Sequence, residues 1–274
     1  AGMAEGGSGN AAGTRGDFSN FPTVAGRLQQ GVLNQIYLGR LMTRPGGLVD
    51  SDLFQRADLT PLIDTAHLDY DGNSQGGIMG AMLAAVSPDI ERAVLGVTGI
   101  NYSLLLPRSV DFDDYESIFK PAYPNDLDRA LILAATQMLW DRGEGGGYGQ
   151  HLTADPYPGT PAKTVLLHVA YGDHQVTELS ALIEARTIGA TIHQPVAADG
   201  RWQEVEPGWG LAATSYPSTG SAIVVWDSGM AAIPFENLAP RDGDDSHEDP
   251  RRDPDVRTQK AGFLLDFGDD GSGL

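Results

Sequence analysis

The 274-residue sequence contains no cysteine and only three lysines. The absence of cysteine excludes a thiol nucleophile, a disulfide framework and thiolate metal sites, although it does not fix the cellular compartment. No uninterrupted apolar run approaches the roughly 18 to 20 residues that a membrane-spanning helix needs, so we expect a soluble protein without a membrane span. A secreted or periplasmic location is favoured, although no signal peptide is visible.

Positive charge is also scarce: 18 lysines and arginines stand against 37 aspartates and glutamates, which gives a formal charge of −19. This net negative charge repels phosphate backbones and anionic lipid surfaces, so nucleic acid is not expected as a partner. The histidines lack the spacing of metal ligands, the acidic run near 242–249 lacks the glycine turn of a calcium loop, and no phosphate-cradling glycine loop is present. We therefore expect neither a metal nor a cofactor.

The pattern of apolar residues divides the chain into a glycine-rich segment, 1–16, expected to be flexible, and one domain, 17–274. Within that domain helical periodicity alternates with strand-like runs, which predicts an α/β fold with a mostly parallel sheet and flanking helices. The predicted strands lie at 66–71, 92–99, 163–173, 191–196 and 221–227. The predicted helices lie at about 24–41, 75–86, 112–120, 125–141, 177–189 and 254–267.

Two stretches interrupt this alternation. Residues 101–160 contain proline-rich joints, two helices and a glycine-rich GEGGGYG that we expect to be flexible; an insertion of this kind between two strands predicts a lid. Residues 197–250 are loop-rich, with a single predicted strand. Four aromatic residues of the lid either contact an apolar acyl or aryl group or form the lid's own core: Tyr102, Phe119, Tyr123 and Trp140.

The segment LDYDGNSQGGIMGAMLAAV, 68–86, places a serine between glycines where a strand pattern becomes a helix pattern. Its centre fits the nucleophile elbow G-x-S-x-G, in which a strained turn exposes the serine oxygen and small neighbours avoid the adjacent strand and helix. The backbone N–H of the residue after the serine would face a developing oxyanion at the start of the helix. A purely structural turn is the alternative. The residues concerned are Gly72, Asn73, Ser74, Gln75, Gly76 and Gly77.

A serine nucleophile needs a base and an acid that orients the base. Asp173 ends a strand just before a helix, which would bring it to the same sheet edge as Ser74, and Asp227 is the reserve acid. His247 lies in a loop before the last helix, where a base can reach over the sheet. The other histidines are less suitable: His67, His168 and His193 fall in strands and are expected in the core or on a sheet face, His174 adjoins Asp173, and His151 lies in the lid.

At this point the chain resembles the α/β-hydrolase superfamily, and within it a group of bacterial serine hydrolases with a GNSQGG elbow. The resemblance is carried by GNSQGGIMG, GINYSLLLPRS, LLHVAYGDHQVT and SHEDPRR, and it covers roughly residues 17–267. It implies Ser74 as nucleophile, Asp173 as acid, His247 as base, and hydrolysis of an ester through an acyl-enzyme. It implies little about the substrate beyond a small-molecule or lipid-like ester.

In that superfamily the elbow follows the fifth strand of eight, and a second oxyanion donor follows the third. No HG or HGGG segment precedes Ser74, so we expect the opening strands and that donor to be absent from this chain. The strand at 66–71 would then present an open, apolar edge, to be completed by an amino-terminal segment or a second chain. The competing hypothesis is accordingly a non-catalytic fold that serves as a binding or assembly module.

Overall fold

The computed structural model describes residues 9, 13, 14, 17–202, 206 and 208–265, so the predicted flexibility of 1–16 falls mostly outside the described residues. Its centre is a six-stranded sheet in which every pairing is parallel, with strand order β1-β2-β3-β6-β4-β5. This confirms the predicted α/β class. The strands are β1 (Leu68–Asn73), β2 (Ile90–Gly96), β3 (Thr164–Ala170), β4 (Thr191–His193), β5 (Ala213–Thr214) and β6 (Ala222–Trp226).

Helices cover both faces of this sheet. Alternate residues of β3 point to opposite sides: Val165 and Leu167 pack in a cluster with three helices on one face, and Leu166 packs with Phe263 of the last helix on the other. Burial on both faces explains why the central strands read as continuous apolar runs. The helices are α1 (Pro22–Thr43), α2 (Gln75–Val86), α3 (Tyr102–Leu105), α4 (Asp113–Ala122), α5 (Asp126–Trp140), α6 (Glu178–Ile188), α7 (Asp249–Arg252) and α8 (Pro254–Leu265).

The ends of two helices follow the local signals in the sequence. Gly189, just after α6, has the left-handed φ of 70° that ends many helices. Asp253, just before α8, accepts hydrogen bonds from the backbone N–H groups of Asp255 (2.7 Å) and Val256 (3.3 Å). Leu41, at the end of the helix predicted at about 24–41, is 50% exposed. Phe267, the last residue of the helix predicted at about 254–267, lies outside the described residues.

The glycine-rich stretch after α5 is packed, contrary to the flexibility predicted for it. Residues 141–151 form short 3₁₀ turns, and Glu144 is fully buried. A Cβ on Gly145 would approach Ala81 of α2 to 2.8 Å, and one on Gly143 would approach the Ala25 backbone of α1 to 3.0 Å. These glycines therefore let the turns lie close against two helices, which composition alone does not distinguish from mobility.

The predicted lid, 101–160, packs against the helical side of the molecule. Tyr102, Phe112 and Trp140 share an apolar cluster with Phe21 and Val24 of the α1 region and with Ile78 and Met79 of α2. Since α2 begins directly after Ser74, this packing brings the 101–160 segment close to the turn between β1 and α2. Among the residues that the structure describes, no helix has the length and apolarity required to traverse a bilayer.

Strand β1 ends one side of the sheet, and no described strand pairs with its outer edge. The edge was predicted to be apolar, but the strand reads LDYDGN, and each of its residues is half-buried or exposed. Its carboxylates are partly engaged, since Asp71 pairs with Lys260 of α8 at 2.7 Å. Charged side chains at an edge oppose pairing with other strands, so this edge is less prone to recruit another strand than predicted.

Candidate functional site

Ser74 lies in the tight turn between β1 and α2, with φ 59° and ψ −123°. A positive φ is costly for a residue that has a Cβ, of the order of 1–3 kcal/mol, so such a conformation persists only where its surroundings impose it. Part of that constraint is visible: the Ser74 N–H donates to the carbonyl of Gly96 on β2 at 2.9 Å. The turn holds the serine side chain at the carboxyl end of the sheet.

The glycines around Ser74 have different roles from those predicted. A Cβ on Gly72 would meet the Gly76 carbonyl at 2.5 Å, as expected for the position two residues before the serine. Two residues after it, the prediction of a collision is wrong, because a Cβ on Gly76 would have only the Tyr70 hydroxyl near it, at 3.6 Å. The close approach is one residue later, where a Cβ on Gly77 would lie 2.5 Å from the Gly96 carbonyl.

Gly77→Ala should therefore destabilise the protein by about 2–3 kcal/mol, because the added methyl group drives α2 away from the backbone of β2. Gly76→Ala is the matched control, with an expected change within about 1 kcal/mol and a favourable contribution from helix propensity. Urea denaturation followed by tryptophan fluorescence measures both. Equal losses in the two variants would contradict the assigned packing.

Three predicted side chains meet at this turn. His247 Nε2 lies 2.9 Å from Ser74 Oγ, and His247 Nδ1 lies 2.8 Å and 3.0 Å from the two carboxylate oxygens of Asp173. Asp173 follows β3, and His247 lies in the loop before α7, so three separate segments supply the three groups. Asp173 is 1% and His247 2% exposed, which protects the hydrogen bonds between them from competition by water.

Asp245, which the sequence analysis did not single out, fixes the loop that carries His247. Its Oδ1 accepts the backbone N–H groups of His247 and His174, each at 3.0 Å, and its Oδ2 accepts Nε2 of Gln175 at 2.8 Å. One carboxylate thus ties the histidine loop to the loop after β3. The only local signal was an aspartate two residues before His247, a common turn pattern.

Burial, hydrogen bonding and nearby charges shift the pKa values of His247 and Asp173. Burial by itself lowers the pKa of His247, but the hydrogen bond to Asp173 and the negative charges of Asp173, Asp245 and Glu248 outweigh it and raise this pKa above its ordinary value. Burial also raises the pKa of Asp173, opposed by His247 and by the backbone N–H groups of Val176 and Gln175. The imidazole is therefore a stronger base than a free histidine.

Beside Ser74 lies a cavity of about 200 Å³ with mostly apolar walls. Tyr102 and Trp140, two of the four predicted substrate-contacting aromatics, line it and stack on each other with ring centroids 4.4 Å apart. Phe119 is instead buried in the lid, and Tyr123 packs against Phe119 at 5.4 Å, so these two form lid core. The sequence analysis missed two aromatic walls of the cavity, Phe112 and Tyr115.

Gln75 begins α2, so its backbone N–H has no acceptor within the helix, as for the first residues of any helix. Because Gln75 directly follows Ser74, this N–H lies at the positive end of the α2 dipole, next to the serine. The Gln75 side chain also lines the cavity, and its Oε1 accepts a hydrogen bond from the Tyr102 hydroxyl at 3.0 Å. A lid aromatic is thereby joined to the residue next to Ser74.

The remaining candidates lie elsewhere. Asp227, the reserve acid, binds Arg201 through both carboxylate oxygens at 2.6 Å and 2.7 Å. His67 was predicted in the strand but precedes β1, is 42% exposed and contacts Asp64. His168 is buried as predicted and contacts Gln259 at 2.7 Å, and burial lowers its pKa to about 4. His193 lies on β4 beside Tyr216, and His151 contacts the Asp155 carbonyl.

Across the described part of the chain, no three histidine, aspartate or glutamate side chains converge as metal ligands would. The arrangement that is present combines a hydroxyl, an imidazole and a carboxylate in series, next to a cavity and a helix N-terminus. Such a series can move a proton from the hydroxyl to the imidazole while the carboxylate stabilises the resulting charge. Comparisons of the chain with protein-family models, with curated proteins and with solved structures found no match.

Proposed function

We propose that this protein is a serine hydrolase that cleaves carboxylic esters through an acyl-enzyme, with a fold of the α/β-hydrolase kind. The observation that carries the proposal is the continuous hydrogen-bonded series from Ser74 Oγ through His247 to Asp173. The strained backbone of Ser74 supports it as well, because strain is retained where function requires a side chain in an unusual position.

In the proposed reaction His247 Nε2 takes the proton of Ser74 Oγ as that oxygen attacks the ester carbonyl carbon. Asp173 holds the imidazole through Nδ1 and stabilises the imidazolium. The Gln75 N–H stabilises the oxyanion, aided by the positive end of the α2 dipole. His247 then protonates the departing alcohol, and water, activated by the same imidazole, releases the acid and restores Ser74.

The test is hydrolysis of p-nitrophenyl esters from acetate to long-chain acids, with Ser74→Ala and with Ser117→Ala, an exposed serine on α4, as the matched control. We expect Ser74→Ala to lose at least about 10³-fold in kcat and Ser117→Ala to keep the activity of the unmodified protein. A fluorophosphonate probe should label Ser74. Retained turnover in Ser74→Ala would exclude the proposed nucleophile.

The second candidate is a non-catalytic module whose sheet is completed by an amino-terminal segment or a second chain. The observation that favours it is the outer edge of β1, with which no described strand pairs. It predicts a folded protein that neither hydrolyses esters nor reacts with the fluorophosphonate. The same assay therefore separates the two candidates.

A further inference from the structure

The cavity beside Ser74 has one charged side chain. Among the described residues that line it, Asp111 is the only acidic or basic one, and the rest are apolar, aromatic or uncharged polar. Asp111 lies between α3 and α4, in a segment tied to the catalytic loops by a hydrogen bond from the Val110 N–H to the His174 carbonyl at 2.9 Å. Its side chain is exposed, which places the carboxylate at the mouth of the cavity.

Nothing in the described chain engages that carboxylate. The backbone N–H of Asp111 donates to Ser109 Oγ at 3.2 Å, but its side chain has neither a hydrogen-bond nor an ion-pair partner there. Two acids nearby are occupied: Asp113 binds Arg241 through two contacts of 2.7 Å, and Asp245 holds the histidine loop. Partial burial and the carboxylates of Asp245, Asp173 and Asp113 raise the pKa of Asp111, against the effect of His247.

The walls next to this carboxylate are suited to a cation. Tyr102 stacks on Trp140, and Phe112 lies nearly parallel to Tyr115 with ring centroids 6.5 Å apart. Aromatic faces attract ammonium groups, and a carboxylate at the entrance adds direct charge attraction. An anionic substrate would instead meet repulsion at the mouth, without a compensating lysine or arginine in the described lining.

We propose that Asp111 makes this site selective for esters that carry a protonated or quaternary amine near the scissile bond. The inference rests on the proposed ester hydrolysis at Ser74 and names its substrate class. Asp111 acts here as a specificity residue, since it contacts the charged group of the substrate and takes no part in the covalent steps.

The experiment compares two thioesters that differ only in charge: S-butyrylthiocholine and its neutral isostere, S-(3,3-dimethylbutyl) thiobutyrate. The released thiol is followed with Ellman's reagent, with which this cysteine-free protein does not react. We expect kcat/KM to favour the cationic thioester by about tenfold, which corresponds to about 1.4 kcal/mol. The preference should shrink at high salt, because the carboxylate is exposed.

Asp111→Asn, and independently Asp111→Ser, should reduce the preference to about twofold, and urea denaturation followed by tryptophan fluorescence checks that both variants are folded. Asp114→Asn, an exposed acid of α4 outside the cavity lining, makes the same change in net charge and should keep the preference.

Equal rates for both thioesters, or a preference that survives both Asp111 substitutions, would overturn the inference. The inference would also be overturned if the protein hydrolysed p-nitrophenyl butyrate but did not hydrolyse the cationic thioester faster than the neutral one. Failure of the unmodified protein on all three esters would instead remove the proposed function itself.

Discussion

Asp173→Asn is expected to lower kcat/KM for ester hydrolysis by about 10³- to 10⁴-fold without unfolding the protein. The fold should survive because Asp173 Oδ1 also accepts the backbone N–H groups of Gln175 (2.8 Å) and Val176 (2.9 Å), and an asparagine oxygen can keep both bonds. The amide nitrogen would then face His247 Nδ1 as a donor. It would favour the tautomer with hydrogen on Nε2, which cannot accept the Ser74 proton.

The matched control is Asp227→Asn, at the end of β6. Like Asp173, this aspartate follows a strand of the sheet, but its carboxylate binds Arg201. We expect its activity to stay within about twofold of the unmodified protein. A larger loss in Asp227→Asn than in Asp173→Asn would reverse the assignment of the acid.

The pH profile of kcat/KM shows whether Asp173 acts on His247 or only supports the fold. The carboxylate of Asp173 raises the pKa of His247, so the acid limb of kcat/KM in the unmodified protein should lie above about 6.5, the ordinary value for histidine. In Asp173→Asn the limb should move to lower pH, because the negative charge is gone. An unchanged limb together with a large loss in rate would mean that the residue does not act through His247.

The largest expected effect on stability comes from a pair of buried carboxyl groups. Glu184 of α6 and Glu144 are both fully buried. Burial, opposed by the hydrogen bond from Thr98 Oγ1 at 2.9 Å and reinforced by the charge of Glu144, raises the pKa of Glu184 to about 8. Burial likewise raises the pKa of Glu144 to about 7, against hydrogen bonds from Gln137 and Tyr102.

These shifts determine how stability depends on pH. The unfolded chain releases both protons near pH 4.5, whereas the folded protein keeps them to about pH 7 and 8. Between those values these two groups bind fewer protons in the unfolded state, so their contribution to the free energy of unfolding falls as the pH rises from about 4.5 to about 8. One pKa unit is worth about 1.4 kcal/mol, so the rise of the Glu184 pKa from 4.5 to about 8 corresponds to a loss on the order of 5 kcal/mol.

Glu184→Gln should therefore stabilise the protein by about 2 kcal/mol or more at pH 8.5 and have little effect at pH 5. Glutamine offers an oxygen to Thr98 but no titrating proton. Glu236→Gln, on an exposed glutamate, changes the net charge equally and should alter stability by less than about 0.5 kcal/mol at both pH values. Urea denaturation at the two pH values measures this. The same loss of stability in Glu184→Gln at pH 5 and pH 8.5 would contradict the titration.

Two parts of the candidate site followed from local sequence. The strand, turn and helix around Ser74 were predictable because a glycine-flanked serine between two apolar patterns restricts the backbone locally. Asp173 and His247 were chosen by their positions after a strand and before the last helix, and the structure brings His247 within hydrogen-bonding distance of both Asp173 and Ser74.

Other features depended on which segments meet in space. Gly77 rather than Gly76 approaches the neighbouring strand, because the direction of each Cβ depends on how α2 sits over β2. His67 resembled a strand residue but lies before β1, since the apolar run gave no signal for where pairing begins. The glycines after α5 permit close packing, although the same composition is typical of mobile loops.

By itself, the sequence determined the α/β class, the alternation of helices and strands, and the turn at Ser74, because these depend on periodicity and on residues adjacent in the chain. The tertiary structure decided that Asp245 fixes the histidine loop, and that Tyr102, Phe112, Tyr115 and Trp140 line one cavity together with Asp111, whose side chain has no partner among the described residues. These are contacts between segments far apart in the sequence. Their geometry follows from how the helices pack on the sheet, which no local pattern specifies.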